Sequence, residues 1–407
     1  MNLKHLLRLS SLRSRLSVWG IGLQMMLDKM LGRRVVILDL EEITLLPVLT
    51  PIIAQLQNST DRISYYAAYK TVCPPVGSLV VPEIRRFHYS LSARFPSADM
   101  YLSPHVYGNA SPRTLKVHIP HGQPVKFACL PKKYFERYDV HFLTGPLERE
   151  QTEYTLAYYG LKKKPALYDI GMPKMDALMN GRYEPRAILE ELGLDPARKT
   201  VIYAPSWEEG LSLRAFGRTV FQQLADLDGL NVIVRLHPTS LVPRSHPDYA
   251  FYTGGIDWAE IVQEYLHSPN MRFVPEGSTD RLLAASDVMI TDVSGVAWEF
   301  LSLVKPVIYL DCPDFFTKTL PTLYRDFGPN DANTSRINEG RRVGYVVDSV
   351  DELPRAVKFL LHDPSYKIQE RNEFASRVQY HPGRASAEAA RVILELLRLE
   401  PNPPTRP

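Results

Sequence analysis

Four short stretches of this sequence each place polar residues directly after an apolar run. They read HGQPVK from His121, PSW from Pro205, RLHP from Arg235 and TDVSG from Thr291. Imidazole, hydroxyl and basic side chains can move a proton or bind the oxygens of a phosphate group. The sequence therefore indicates chemistry on a phosphorylated substrate.

The first stretch presents a histidine at a sharp turn. His121 follows the apolar run LKVHIP and precedes Gly122, which lets the chain turn and exposes the imidazole. Because the ordinary pKa of histidine lies near neutrality, His121 is predicted to take a proton from an attacking hydroxyl group. A histidine that only stabilises the turn is the alternative. Lys126 is predicted to face a phosphate. His118 and His121 lack a nearby third ligand, so no metal site is predicted here.

The second and third stretches offer further hydrogen-bond donors. Arg235 and His237 alternate, so both side chains point to one face of a strand that Pro238 ends. Two such groups suit a pyrophosphate, which an arginine can bind through paired hydrogen bonds. A buried arginine paired with a carboxylate is the alternative. Ser206 is predicted to bind a donor phosphate or to cap the next element. Trp207 either packs in the core or forms a binding surface.

The fourth stretch passes from a buried strand that ends at Asp292, through Ser294 and Gly295, into a helix. Free N–H groups and the dipole at such a helix N-terminus favour phosphate oxygens. The Ser294 hydroxyl adds a donor, and Gly295 allows close approach. Glu299 lies about one turn into the helix and is predicted to reach the ribose of a nucleotide, while Asp292 is predicted to face the same cleft. An ordinary helix cap would explain Ser294, but not the other three stretches.

Strands must carry these residues, because the polar stretches follow β-branched runs that alternate with helix-period segments. Such alternation predicts parallel sheets covered on both faces, with ligands at the carboxyl ends of the strands. The fold is therefore predicted to be α/β, with two Rossmann-like domains that face each other across a cleft. We place these domains at residues 35–175 and 176–385, and a helix that crosses back, with a disordered tail, at residues 386–407.

Residues 1–34 are predicted to form a basic amphipathic helix, with one basic sector and one sector rich in leucine and methionine. Such a helix can lie in the headgroup layer of a membrane. The alternative is a helix that packs on its own domain with a solvated basic side. The basic sector comprises Lys4, Arg8, Arg15, Lys29 and Arg33, and the apolar sector comprises Leu9, Leu12, Leu16, Leu23, Leu27 and Met30.

Composition narrows the class of protein. The 407 residues are enough for two domains, and a formal net charge of +3 is too small to imply nucleic-acid binding. The three cysteines show no paired spacing, as expected in a reducing cytoplasm. The uncharged run from Ile43 to Thr60 contains Pro47 and Pro51 and reads as a buried helix better than as a membrane span. We predict a cytoplasmic protein, peripheral on the inner face of the cell membrane, without cofactor or metal.

The order and spacing of four motifs resemble the CDP-glycerol glycerophosphotransferase family, the bacterial enzymes that build teichoic acids and related glycerol- or ribitol-phosphate polymers. The motifs are HGQPVK, YAPSW, RLHP and SDVMITDVSGVAWEFLSLVKPVIYLD. The resemblance implies the GT-B architecture of two Rossmann-like domains. It also implies a transferase that moves glycerol phosphate, or a similar polyol phosphate, from a CDP-activated donor to a hydroxyl of a membrane-associated glycan or polymer, releasing CMP.

The resemblance implies roles for individual residues as well. His121 is the expected general base on the acceptor side, and His237 is expected to contact the donor pyrophosphate. Ser294 and Gly295 are expected to hold phosphate, and Glu299 to hold the ribose. The expected chemistry is in-line attack of a hydroxyl group on the β-phosphorus of the donor.

Two departures from the family pattern leave the transferred group open. The family shows Asp-Tyr-Ser-Ser where this chain has Asp-Val-Ser-Gly from Asp292, so one hydroxyl is missing. After Trp207 the family tends toward an arginine and an acid, whereas Glu208 and Glu209 follow here. Two negative charges near a donor phosphate are unfavourable unless they turn away or bind the acceptor. Arg214 is the candidate for the missing cation.

Three alternative functions share this pattern. The first is a GT-B glycosyltransferase that uses a nucleotide sugar, either a UDP-sugar or, like a sialyltransferase, a CMP-sugar. The second is a non-hydrolysing UDP-sugar epimerase, which needs neither a lipid acceptor nor a basic helix. The third is a non-catalytic relative that binds nucleotide or polymer, for which loss of His121 would change no product.

Overall fold

Two parallel β-sheets, one of seven strands and one of six, form the framework of the protein. The computed structural model describes residues 19–40, 45–69, 85–106 and 108–402. The strand orders are β3-β2-β1-β4-β5-β6-β7 and β10-β9-β8-β11-β12-β13. The strands are β1 (Arg34–Leu40), β2 (Ile63–Tyr69), β3 (Arg85–His88), β4 (Met100–Ser103), β5 (Leu115–His118), β6 (Val140–Leu143), β7 (Ala166–Asp169), β8 (Thr200–Tyr203), β9 (Asn231–Val234), β10 (Met271–Phe273), β11 (Val288–Thr291), β12 (Val307–Leu310) and β13 (Tyr345–Val347).

Helices connect most of these strands and cover the sheets. Residues 19–30 form helix α1. The others are α2 (Leu46–Ser59), α3 (Lys132–Arg137), α4 (Pro146–Tyr159), α5 (Asp176–Met179), α6 (Pro185–Glu191), α7 (Ser212–Phe216), α8 (Arg218–Ala225), α9 (Tyr249–Thr253), α10 (Trp258–Gln263), α11 (Thr279–Ala285), α12 (Val296–Leu301), α13 (Leu320–Leu323), α14 (Ile337–Val343), α15 (Leu353–His362), α16 (Ile368–Val378) and α17 (Ala385–Leu397).

The alternation of strands and helices confirms the predicted α/β fold. Strands β8, β9, β11 and β12 are buried at every position, which explains their continuous apolar sequences. Five further strands were not predicted. Of these, β3, β7 and β10 are short edge strands with partly exposed residues, so their apolar pattern is weak. The other two, ISYYAAY in β2 and MYLS in β4, mix aromatic with small or polar residues.

Helix α17 returns from the end of the chain to the first sheet. Its apolar face packs with α2 and with residues of β1, β4 and β5 in one core. The carboxylate of Asp176 binds the start of this helix, accepting hydrogen bonds from the backbone N–H groups of Ala385 and Ser386 at 2.9 and 2.7 Å. These donors are the groups that a helix leaves unpaired at its N-terminus. The segment between the two sheets is thereby attached to the end of the chain.

Within the run from Ile43 to Thr60, residues Leu46–Ser59 form α2, a helix with a buried apolar face, as predicted. No helix among the described residues is long and apolar enough to cross a bilayer. Helix α1 packs on the first sheet through Met25 and Ile21. The first eighteen residues, including Lys4, Arg8 and Arg15 of the predicted basic sector, lie outside the described residues.

Candidate active site between the two sheets

The strand order reverses direction once in each sheet, between β1 and β4 and between β8 and β11. Open α/β sheets bind ligands beside such points, at the carboxyl ends of the strands. In the second sheet Asp292 joins the two loops concerned. Its carboxylate accepts hydrogen bonds from the backbone N–H groups of Ser206 and Ser212, both at 3.0 Å, and from the Ser212 hydroxyl at 2.6 Å. Asp292 was predicted to face the cleft; it is buried, and it holds the loops that line the cleft.

His121 lies in the loop after β5, and its ring is exposed. Its Nδ1 lies 2.7 Å from the carbonyl oxygen of Pro104. A carbonyl oxygen can only accept, so Nδ1 carries the proton and Nε2 keeps its lone pair. The protein around the ring removes much of its hydration, and this desolvation lowers the pKa of His121. The positive charges of Lys174 and His105 lower the pKa further, whereas the hydrogen bond to Pro104 raises it. The neutral ring can therefore accept a proton at Nε2.

His118, considered above as a possible metal ligand, has different surroundings. It is buried, its Nδ1 lies 2.7 Å from the Tyr134 hydroxyl, and its ring makes edge contacts with Tyr134 and Tyr138. Burial holds the pKa of His118 well below its ordinary value, and the neighbouring His141 adds to the effect. His118 is thus a core residue behind the loop that carries His121.

Lys126 forms a buried ion pair with Glu208, which joins the first sheet's loop to the second. Its ammonium also donates to the Ser206 hydroxyl at 3.0 Å. Glu208 accepts from Ser206 at 2.5 Å and from the Tyr324 hydroxyl at 2.7 Å. Burial raises the pKa of Glu208, but the charge of Lys126 and these hydrogen bonds outweigh it and hold the pKa at about 2. Lys126, predicted to face a phosphate, therefore already has a carboxylate partner.

The two glutamates that depart from the family pattern point in different directions. Glu208 is fully buried in the contact with Lys126, whereas the Glu209 side chain is 77% exposed. Arg214 lies 3.8 Å from Glu209 and donates a hydrogen bond to the carbonyl oxygen of Phe251 at 3.2 Å. The charge of Glu208 is therefore neutralised by Lys126, and the charge of Glu209 lies in solvent.

His237 lies just after β9, and its ring carries the proton on the other nitrogen from His121. Its Nδ1 accepts a hydrogen bond from the backbone N–H of Thr239 at 3.2 Å. The proton of the neutral ring must therefore be on Nε2. Desolvation lowers the pKa of His237 to about 4, and the nearby charges of Lys126, His121 and Arg235 contribute to this shift. His237 is thus neutral at pH 7, with an N–H group to donate.

Arg235 was predicted to bind phosphate, but its guanidinium donates hydrogen bonds to oxygens of the protein backbone. Its two terminal nitrogens lie 2.8 Å from the carbonyl oxygens of Val274 and Gly277. Burial lowers the pKa of Arg235, and Glu276 opposes the shift. The guanidinium anchors the loop after β10, and it does not pair with the buried carboxylate that we considered as its alternative partner.

Gly295 lies at the start of α12 in close contact with the loop of His121. A Cβ atom at this position would come within 2.7 Å of the carbonyl oxygen of Gln123. Any larger residue would therefore push the two loops apart. Ser294 is buried beside it. The close approach that we predicted for a phosphate at Gly295 is made in this structure by the protein backbone.

Glu299, predicted to bind the ribose, forms an ion pair with Lys174 at 2.7 Å. Both side chains are largely buried. Burial lowers the pKa of Lys174, but Glu299 and Asp280 more than compensate and raise it. Lys174 was not predicted, because strand β7, which precedes it, was not recognised.

Residues from both sheets therefore meet at one cleft. His121 and Lys126 come from the first sheet and His237, Ser206 and Gly295 from the second. Three residues of this site were not assigned a role from sequence: Lys174, Glu208 and Pro104. The strand-end position of Lys174 and the unusual pair of glutamates were the available signals; a backbone carbonyl such as that of Pro104 leaves none.

Comparison with known proteins finds a family profile that matches more than half of this chain. The profile of the family described as CDP-Glycerol:Poly(glycerophosphate) glycerophosphotransferase matches residues 132–395. This range includes His237 and Glu299 but begins after His121 and Lys126. The teichoic acid poly(glycerol phosphate) polymerase of Bacillus spizizenii is 26% identical over 232 residues, which is 53% of this chain and 56% of that protein. The chain thus spans little more than half the length of this relative.

Solved structures share the fold. The wall teichoic acid polymerase TagF superimposes with a TM-score of 0.60 at 16% identity, over 90% of this chain and 89% of that chain. The UDP complex of S. aureus MnaA superimposes with a TM-score of 0.57 at 13% identity, over 90% of this chain and 97% of that chain. Together with the two parallel sheets, these likenesses confirm the GT-B type of fold.

Proposed function

The chain belongs to the CDP-glycerol:poly(glycerophosphate) glycerophosphotransferase family, and we propose that it transfers glycerol phosphate, or a similar polyol phosphate, from a CDP-activated donor to a hydroxyl of a glycan or polymer acceptor. The observation that carries this proposal is the pair of histidines at one cleft. His121 offers a lone pair on Nε2, and His237 offers a proton on Nε2. An acceptor hydroxyl and a donor phosphate need these two properties.

In the proposed step His121 takes the proton of the acceptor hydroxyl at Nε2. The hydroxyl oxygen attacks the β-phosphorus, and the bond from that phosphorus to the bridging oxygen breaks. CMP leaves with the bridging oxygen and its electron pair. His237 donates a hydrogen bond to a phosphoryl oxygen, whose share of negative charge grows in the transition state.

Other residues support donor binding in this proposal. Lys126 has three N–H donors, of which Ser206 and Glu208 occupy two, so one remains for a phosphate oxygen. Ser206 gives its own proton to Glu208 and so orients Lys126. The carboxylate of Glu299, which Lys174 holds in place, accepts a hydrogen bond from a ribose hydroxyl. Ser294 adds a hydroxyl beside the phosphates, whereas Gly295 contributes through its close contact with the loop of His121.

The test measures CMP release by the purified full chain with CDP-glycerol, then CDP-ribitol, each with and without acceptor. We expect acceptor-dependent CMP release that falls about 10²–10⁴-fold in His121→Ala, the usual size of a general-base contribution. His267→Ala, an exposed histidine at the end of α10, serves as the control. Full activity in His121→Ala would overturn the proposed mechanism. Turnover with nucleotide sugars but not with CDP-polyols would assign glycosyl transfer to this cleft.

We also propose that the protein rests on the inner surface of the cell membrane through helix α1. Its outer face and the residue that follows it carry large apolar side chains that are exposed to solvent, listed here with their exposed fractions: Trp19 78%, Leu23 60%, Met26 57%, Leu27 42% and Met30 82% on the helix, and Leu31 77% after it. Lys29, of the predicted basic sector, instead pairs with Asp99 at 2.9 Å. The support for membrane contact is therefore this apolar face, which would gain from burial in the interfacial layer.

Sedimentation with vesicles tests this part of the proposal. Wild-type protein should sediment with vesicles that contain phosphatidylglycerol, and the double variant Leu23→Ser, Met30→Ser should bind much less. Tyr154→Ser, which changes an exposed aromatic residue on α4, is the matched control. Equal binding by wild type and double variant would show that α1 makes no membrane contact.

A further inference from the structure

We propose that Asp39 is a positioning residue that determines which ring nitrogen of His121 carries the proton, acting through the carbonyl group of Pro104. This inference rests on the proposed function, because it concerns the base of that reaction. Asp39 lies near the carboxyl end of β1, at the point where the strand order of the first sheet reverses. It is 1% exposed.

The Asp39 carboxylate is bound to the neighbouring strand β4. Its Oδ2 accepts hydrogen bonds from the hydroxyl groups of Tyr101 and Ser103, both at 2.6 Å. Hydrogen bonds to a buried carboxylate are stronger than those between neutral groups. Asp39 therefore fixes the last residue of β4 relative to β1.

Ser103 in turn fixes the chain on both sides of Pro104. Its Oγ accepts a hydrogen bond from the backbone N–H of His105 at 3.1 Å. The Tyr138 hydroxyl lies 3.0 Å from this Oγ and 2.5 Å from the carbonyl oxygen of His105, and it donates its one proton to either. The carbonyl group of Pro104 and the N–H group of His105 belong to one planar peptide, so the bond to Ser103 also orients this carbonyl. The carbonyl oxygen of Pro104 is thus held in one direction.

That direction is toward His121, whose Nδ1–H reaches this oxygen at 2.7 Å. A neutral imidazole released from this contact would be a mixture of its two tautomers, with the proton on Nδ1 or on Nε2. In the form with the proton on Nε2, that nitrogen has no lone pair with which to accept the proton of a hydroxyl group. In known enzymes a buried carboxylate selects the tautomer of a catalytic histidine by binding it directly. Here the carboxylate acts through two hydrogen bonds and a backbone carbonyl.

A purely structural hydrogen bond is the competing explanation, and the chain provides a matched control for it. Tyr66 donates a hydrogen bond to the carboxylate of Asp28 at 2.5 Å, and both residues are buried. This pair also attaches a tyrosine of the first sheet to an aspartate, but it has no path to His121. Tyr66→Phe therefore removes a comparable bond without touching Pro104.

The experiment uses the full chain labelled with ¹⁵N-histidine, and the signals of His121 are assigned by their loss in His121→Asn. Wild type and Tyr66→Phe should show a ring protonated at Nδ1. Ser103→Ala and Asp39→Ala should shift the population toward protonation at Nε2 and lower kcat about tenfold or more, with donor KM changed less than about twofold. Asp39→Asn, whose amide oxygen can take the place of Oδ2, should restore most of both properties.

Unchanged His121 signals and unchanged kcat in both Ser103→Ala and Asp39→Ala would overturn the proposal. Ser103→Ala keeps this test decisive if Asp39→Ala does not fold. A failure of the proposed function is distinct, because His121→Ala would then retain CMP release. The NMR signals do not depend on turnover, so the link between Asp39 and His121 is decided in either case.

Discussion

The neutral rings of His121 and His237 carry their protons on opposite nitrogens. The partner of His121 is the carbonyl oxygen of Pro104, which can only accept, and the partner of His237 is the N–H of Thr239, which can only donate. The two histidines therefore present different groups to the cleft, a proton acceptor and a proton donor. Both residues are histidines, so this difference comes from the backbone group that each ring binds.

The pH dependence of transfer should reflect the environment of His121. Desolvation and the charge of Lys174 lower the pKa of His121, so the ring stays neutral to a lower pH than free histidine. We expect kcat/KM to fall only on acidification below the ordinary imidazole pKa of about 6.5. In Lys174→Met the loss of the positive charge raises the pKa of His121, so the acidic limb should move to higher pH.

Rate profiles between pH 5 and 8 check this prediction. Lys163→Met, which removes an exposed lysine that pairs with Asp139, is the control and should keep the wild-type profile. His105 also influences the pKa of His121. Because it is present in all three proteins, it does not account for a difference between their profiles. Identical profiles for wild type and Lys174→Met would contradict the assignment of His121 as the base.

Loss of His237 should weaken donor binding more than it affects the fold. The ring is exposed, so its removal leaves no cavity in the core. A hydrogen bond to a charged phosphate contributes about 1.5–3 kcal/mol, so donor KM should rise about 10- to 100-fold in His237→Ala. Steady-state kinetics and a thermal unfolding curve measure the two effects. A wild-type donor KM would place the phosphates elsewhere in the cleft.

Removal of Lys126 should destabilise the protein because it leaves Glu208 charged and buried. Breaking one side of a buried ion pair costs about 3–5 kcal/mol. In the wild type the pKa of Glu208 is lowered to about 2, so its stabilising contribution is complete above the ordinary carboxyl pKa and is lost as the pH falls toward 2. In Lys126→Met this contribution is absent, and mild acidification from neutral pH should stabilise the variant relative to wild type.

Urea unfolding at pH 7 and pH 5 tests this expectation. The double variant Lys126→Met, Glu208→Gln should recover part of the lost free energy of unfolding, since no unpaired charge remains. Surface variants such as Lys163→Met should change it by less than about 0.5 kcal/mol. A single variant Lys126→Met as stable as wild type would show that the pair contributes nothing at neutral pH.

Glu148 should make stability depend on pH in the opposite sense. Burial raises its pKa to about 7, although the N–H and the hydroxyl of Thr144 both donate to it. A folded carboxyl with a raised pKa stabilises below the unfolded value and loses that contribution as pH rises to 7. The wild type should therefore lose about 3 kcal/mol between pH 4.5 and 7 through this group, whereas Glu148→Gln should not.

Melting temperatures across this range provide the measurement. Because the glutamine oxygen can accept the same hydrogen bonds, the two proteins should be close in stability at pH 4.5 and should diverge toward pH 7. Glu136→Gln, at an exposed position on α3, should follow the wild type. Parallel curves for wild type and Glu148→Gln would mean that Glu148 titrates normally.

The sequence alone determined the α/β class and most strands of the sheet interiors, because buried parallel strands require continuous apolar runs. It also placed His121, His237 and Ser206 just past strand ends, the positions at which such sheets bind ligands. The family pattern could be read for the same reason: each motif is a local strand, turn and helix start.

Only the tertiary structure decided the partners of those residues. Lys126 meets Glu208, and Asp176 binds the start of α17, across distances in sequence that no local pattern spans. The edge strands β3 and β10 exist because a neighbouring strand offers hydrogen bonds, not because their own residues demand it. The proton on Nδ1 of His121 is the clearest case, because it depends on a carbonyl group that every residue possesses and that only folding brings within 2.7 Å.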